Sequence, residues 1–120
     1  MKRSSPRAFV AALLAVASLA ALFPSASAAR YRVCDPVRNP YAGTRYEGVD
    51  LSRIRAQRVS CRRARQVARG AHRRALGMTP TESGIRRFRW GRWEVTGDIR
   101  GSVDSYIARA RGGKRVRWRF

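Results

Sequence analysis

The chain predicts an α+β fold: one helix packed on a small antiparallel sheet, built mainly from two hairpins and held by one disulfide. Three observations point there. Residues 60 to 76 carry small apolar side chains at helical spacing, with good boundary residues at both ends. Residues 86 to 95 and 105 to 120 alternate apolar and basic side chains around glycine-containing turns. Two cysteines, Cys34 and Cys61, follow a first segment with the layout of an export signal.

That segment comes first. Lys2, Arg3 and Arg7 form a basic start, and Ala8 to Phe23 is an uncharged run of 16 residues, seven of them Ala. Pro24 ends the run, and Ala26-Ser27-Ala28 supplies the small-x-small pattern of a cleavage site. The expected division is therefore a signal peptide over residues 1–28 and a single small secreted domain over residues 29–120. The alternative, an uncleaved membrane anchor, needs about 20 apolar residues and finds fewer. No Cys stands near the end of the run, so a lipoprotein box is absent.

Ninety-two residues bury only about two thirds of their unfolded surface, so a staple is valuable. Cys34 and Cys61 allow a single intramolecular pairing, in a compartment that permits it. Two free buried thiols are the alternative. Two Cys and one distant His do not make a zinc ligand set, so no metal and no cofactor are expected.

Between the ends the elements read in order. Arg30 to Asp50 contains Asp35-Pro36, Asn39-Pro40 and Ala42-Gly43, so an ordered loop is expected, with Tyr41 and Tyr46 as lids over the core. Leu51 to Val59 places Ile54 and Ala56 at period two, a short strand. In the helix, Ser60 is the N-cap and Val59 a staple, and Cys61, Ala64, Ala68, Ala71 and Ala75 share one face. Arg62, Arg65, Arg69 and Arg73 line the other face, and His72 is expected on the flank, partly exposed. Gly77 stands where a left-handed C-cap is wanted, and Gly70 costs up to ~1 kcal/mol relative to Ala.

In the first hairpin, Gly91-Arg92 suits a two-residue type II′ turn. That register sets Trp90 opposite Trp93, Phe88 opposite Val95 and Arg89 opposite Glu94. Gly97 to Asp104 reads as a turn-rich connection. The second hairpin turns at Gly112-Gly113, and a three-residue loop, Gly112 to Lys114, keeps all apolar residues on one side. Arg109 then faces Arg117 and Arg111 faces Arg115, with Arg119 beyond; a two-residue loop mixes the faces. The expected core includes Phe88, Trp90, Trp93, Trp118 and Phe120, although three Trp alternating with Arg also resemble a base-stacking platform.

Charge is the main functional signal. Past residue 28 the chain keeps 24 of 27 Lys and Arg against seven Asp and Glu, a net charge of +17. Codon usage in a high-GC genome accounts for Arg over Lys, and less well for base over acid. Most of this charge has no partner inside the chain, and such a field attracts polyanions. Arg109, Arg111, Arg115, Arg117 and Arg119 are the expected polyanion-binding patch, free of acidic neighbours, with Arg62, Arg65, Arg69 and Arg73 a secondary basic stripe.

No catalytic constellation is legible: His72 is the only His, the seven acids are scattered, and no Gly-rich phosphate loop or nucleophile elbow occurs. The expectation is a non-enzymatic module that binds an anionic polymer at or outside the envelope: a wall polymer, an acidic polysaccharide or extracellular nucleic acid. An anionic membrane surface is a further candidate. The alternative is a partner-specific secreted inhibitor or envelope-assembly factor, whose charge serves only solubility and steering.

Val59-Ser60-Cys61-Arg62-Arg63-Ala64-Arg65-Gln66-Val67 resembles the V-S-C-x-x-A-R-x-V segment of small uncharacterised secreted proteins from actinobacteria. The basic ending Lys114 to Phe120 is similar too, and the likeness covers residues 51 to 120. It implies secretion and an α+β fold, and no activity. Relatives often carry a second Cys pair, where this chain has Trp93 and Tyr106.

Overall fold

Ser60 starts the helix. Its backbone is extended and its hydroxyl accepts the Arg63 N–H, leaving α1 to run over Cys61–Leu76. The structure, a computed structural model, describes residues 30–79 and 81–120, so the signal-peptide reading lies outside the described residues. Ala64, Val67, Ala68, Ala71 and Ala75 are fully buried on one helix face. Gly70 has a packing reason: a Cβ there would meet the Trp90 indole, whose Cη2 lies 2.7 Å from that position. The end of the helix differs from expectation. Gly77 has φ −84°, and the Gly77 and Met78 N–H groups bond the Arg74 and Ala75 carbonyls. The last turn thus tightens to i→i+3 bonds, which satisfy the end without a left-handed residue.

Six strands form one antiparallel sheet: β1 (Arg32–Val33), β2 (Ser52–Gln57), β3 (Ile85–Trp90), β4 (Trp93–Asp98), β5 (Ser105–Ala110) and β6 (Lys114–Arg119). Their order is β1-β2-β6-β5-β4-β3, so the two hairpins lie side by side and β2 pairs with the final strand. The helix packs on one face, touching β2, β6 and β3. Between them lie Trp93, Val95, Ala108, Val116, Trp118, Leu51 and Ile54, all buried. Phe88, Trp90 and Phe120 are partly buried against this core.

The first hairpin has the expected register, Trp90 opposite Trp93 and Arg89 opposite Glu94. Gly91 alone takes a positive φ, 57°, as a type II′ turn requires. The second hairpin is shifted by two residues. Its loop is Arg111-Gly112-Gly113, which sets Tyr106 opposite Trp118, Ala108 opposite Val116 and Arg109 opposite Arg115. A three-residue loop favours a left-handed residue at its last position. Gly112 and Gly113 both take positive φ, 81° and 72°, and Gly113 fills the last position, for which the expected loop offered Lys114. A shift of two leaves every side chain on its expected face.

β4 runs through Gly97 and Asp98, so the turn-rich connection begins only at Ile99. Gly97 is required because the buried Tyr106 ring covers it, stacked in turn on Trp118 with a 3° interplanar angle. Leu51, just before β2, and Ile54 within it are both fully buried although three residues apart, which strict alternation forbids. A bulge between Ser52 and Arg55 resolves the conflict, with Arg53 at φ 48°.

His72 is the largest departure. It is fully buried, not on the flank, with its ring centroid 4.2 Å from that of Phe120 and 5.1 Å from that of Tyr106. Its Nδ1 lies 2.5 Å from the Tyr41 hydroxyl. Tyr41 is therefore part of the core, and Tyr46, edge-on to Phe120, is the lid.

Candidate anion-binding face

β6 is the spine of the face opposite the helix. Alternation along this strand sends Val116 and Trp118 inward and Arg115, Arg117 and Arg119 outward. Two of these outward arginines have another directly opposite. Arg115 stands opposite Arg109 on β5, and Arg117 stands opposite Arg55 on β2. Arg119 lies between Ser52 and Ser105, and Arg53 joins it from the bulge in lining one shallow concavity. That concavity holds about 360 Å³, with Ile107, Thr96 and Ser105 between the guanidinium groups.

The disulfide helps to set this face. Cys34 and Cys61 are bonded, with Cα atoms 5.3 Å apart, and the Cys34 N–H donates to the Ile54 carbonyl. β1 is thereby held on β2, and Tyr31 comes under Arg117, whose Cζ lies 4.7 Å from the ring centroid. A guanidinium over a ring face keeps its in-plane N–H donors free for an anion.

The carboxylates nearby are engaged elsewhere. Glu94 stands opposite Arg109, contrary to the expectation of no acidic neighbour, but its Oε1 accepts from Arg89 at 2.9 Å. Asp98, at the rim, accepts from Arg100 Nε at 3.0 Å and Nη2 at 2.8 Å. Hydrogen bonds from the Arg100 side chain, then from its backbone, hold the Asp98 carboxyl down at about 2. Among the described residues, Arg53, Arg55, Arg109, Arg115, Arg117 and Arg119 form no ion pair.

Four of the five expected patch residues thus share one face: Arg109, Arg115, Arg117 and Arg119. Arg111 does not. It lies in the loop and lines a separate cleft with Arg89, Arg92, Arg109 and Lys114, rather than facing Arg115. Arg53 and Arg55 take part too, outside the patch expected from the sequence. Their alternation with buried Ile54 and Ala56 was visible, but the pairing of β2 with β6 was not. Arg62, Arg65, Arg69 and Arg73 are exposed on the helix, across the sheet from this face, and Arg65 Nη2 bonds the Pro36 carbonyl at 3.3 Å.

The three Trp lie on the other side of the sheet: Trp93 and Trp118 are buried and Trp90 is partly buried. They do not form a stacking platform. Burial and the Arg86 charge lower His72 to about 4, so the ring stays neutral at physiological pH and is shut away from solvent. Among the described residues no group of three or more His, Cys, Asp or Glu is placed to hold a metal ion, and no helix is long and apolar enough to cross a membrane. The disulfide is compatible with an extracellular location. No protein-family model, curated protein or solved structure matches the chain.

Proposed function

We propose that the protein is a secreted, non-enzymatic module that binds anionic polymers through the β2-β6-β5 face of its sheet. The observation that carries this reading is the direct opposition of Arg55 to Arg117 and of Arg115 to Arg109. Like charges placed opposite each other destabilise a sheet. Among the described residues none of the four forms an ion pair, and Glu94, opposite Arg109, is paired with Arg89, so an external polyanion is the natural counterion. Arginine suits the task, because its planar fork pairs with phosphate or sulfate through two parallel hydrogen bonds.

Partner-specific docking through an apolar patch has less support. Among the described residues the exposed large apolar side chains are Val33, Val49 and Val103, three valines on separate segments of the chain. Salt response separates the two readings. Retention of the protein on heparin or DNA should weaken linearly in log affinity against log salt, with a slope of several. A nearly flat salt response, with binding retained, would indicate apolar docking and contradict the proposal.

A further inference from the structure

The bulge in β2 adds one arginine to the outer face of the sheet. Ser52 pairs with Arg119 and Arg55 with Arg117, so Arg53 and Ile54 together oppose the single residue between them on β6. Ile54 is fully buried, whereas Arg53 is exposed and lines the concavity with Arg119. Arg53 holds the first bulge position at φ 48°, a left-handed conformation that glycine takes without steric cost. Elsewhere among the described residues a positive φ falls on glycine, except at Asn39 and Arg58. Asparagine tolerates that conformation, and Arg58 Nη1 donates to the Gly112 carbonyl at 3.4 Å. Arg53 forms no ion pair among the described residues. A bulky residue held left-handed is strained, and such strain collects where it positions a functional side chain.

The concavity it faces is suited to a compact, multiply charged group. Arg53, Arg55, Arg109, Arg117 and Arg119 all line its volume of about 360 Å³. Small-molecule sites span roughly 300–1,000 Å³, so this one takes a single sugar-sized unit. One anionic group cannot neutralise five guanidinium groups, and their forks match tetrahedral oxyanions. Ser105 and Thr96 offer hydroxyls to a hydroxylated ligand, and Ile107 an apolar contact for its C–H groups. Asp98 also lines the site, but its two carboxylate oxygens accept from Arg100. The concavity is shallow, so a bound unit can continue into a polymer on either side.

We infer that this concavity is a subsite for a sugar- or polyol-sized unit bearing at least two phosphate or sulfate groups, and that the β2 bulge aims Arg53 into it. The unit is a free molecule or one residue of a polymer. The inference rests on the polyanion-binding reading above and specifies its ligand.

The test measures binding of fructose bisphosphate, the compact probe, by titration calorimetry at two salt concentrations. A polyethylene-glycol bisphosphate of equal charge and longer span, and a heparin oligosaccharide, serve as comparisons. The compact bisphosphate should bind at least about tenfold more tightly than the spaced one, because both its groups reach the same arginines. Arg53→Gln, checked for folding by tryptophan fluorescence, should weaken it at least about tenfold. Arg62→Gln removes an equal charge from the helix and should change it by less than about twofold. Arg53→Gly should weaken binding as Arg53→Gln does, yet raise the urea midpoint, because glycine relieves the left-handed backbone. Binding of the heparin oligosaccharide alone, with the same response to both Arg53 variants, assigns the unit to a polymer. Equal, measurable affinity for the two bisphosphates, or equal losses in Arg53→Gln and Arg62→Gln, would overturn the subsite while leaving polyanion binding intact. A lower urea midpoint in Arg53→Gly would make the arginine a structural part of the bulge and overturn its aiming role. If no probe binds in a salt-dependent way, the polyanion reading itself fails.

Discussion

Arg55 stands directly opposite Arg117 across β2 and β6, on the side of the sheet turned away from the helix. Two guanidinium groups so placed repel, and solvent screens the repulsion without removing it. Arg55→Gln should therefore leave the fold intact and raise its unfolding free energy slightly, by less than about 0.5 kcal/mol. A clear loss of stability in urea unfolding would mean that Arg55 has a structural partner.

Gly97 should resist substitution. Alanine normally suits a strand better than glycine, but a Cβ at this position runs into the Tyr106 ring. That ring cannot swing away, because it is stacked on Trp118 and its hydroxyl accepts from Arg86 Nη1 at 3.2 Å. Gly97→Ala should cost about 1–3 kcal/mol, as overpacking does. A neutral or stabilising effect in thermal unfolding would show that the ring is free to move.

Reducing the disulfide should be expensive. Cys34 and Cys61 are 27 residues apart in sequence, and closing such a loop contributes about 3.5 kcal/mol in the chain-entropy account. Chemical denaturation with and without reductant measures the difference, and alkylation followed by intact mass confirms the bond. Two thiols alkylated without reductant would contradict it.

His72 makes stability depend on pH. Its neighbours are Tyr41, Tyr106 and Phe120, with the Arg86 charge close enough to disfavour a second cation. Burial raises Tyr41 to about 12, so its hydroxyl keeps its proton and can donate to Nδ1 of the neutral ring. With His72 lowered from 6.5 to about 4, the unfolded chain binds a proton that the folded one refuses in between. Stability is thus complete above pH 6.5, falls as pH drops towards 4, and loses on the order of 3 kcal/mol there. His72→Gln, which keeps a hydrogen-bonding side chain without this titration, should flatten that slope in urea unfolding. An unchanged slope would place the proton uptake elsewhere.

How far these features were legible depended on whether local chemistry left one solution. The first hairpin was legible because Gly91, the Trp90–Trp93 pair and the Arg89–Glu94 pair all favour the same register. In the second, registers two residues apart keep the same faces, so alternation could not choose between them. Only the left-handed position at Gly113 does. His72 lies four residues after Ala68 and three before Ala75, squarely on the buried stripe, and its polarity obscured that spacing. The site was only partly legible: outward arginines follow from period two, but which strand lies beside β6 is a long-range choice. Arg53 and Arg55 therefore joined Arg119 and Arg117 only in the folded chain.

On the proposed function the sheet face, and not the helix, binds the polyanion. This is tested most directly by comparing the triple variant Arg55→Gln, Arg109→Gln, Arg117→Gln with the helix variant Arg62→Gln, Arg69→Gln, Arg73→Gln. Both remove three charges, so net charge is controlled. Heparin affinity is measured for each across a range of salt concentrations, after tryptophan fluorescence confirms folding. The sheet variant should lose affinity strongly and its log–log salt slope should shrink by about three, one per contact, while the helix variant changes little. Equal losses in the two folded variants, or a greater loss in the helix variant, would contradict it.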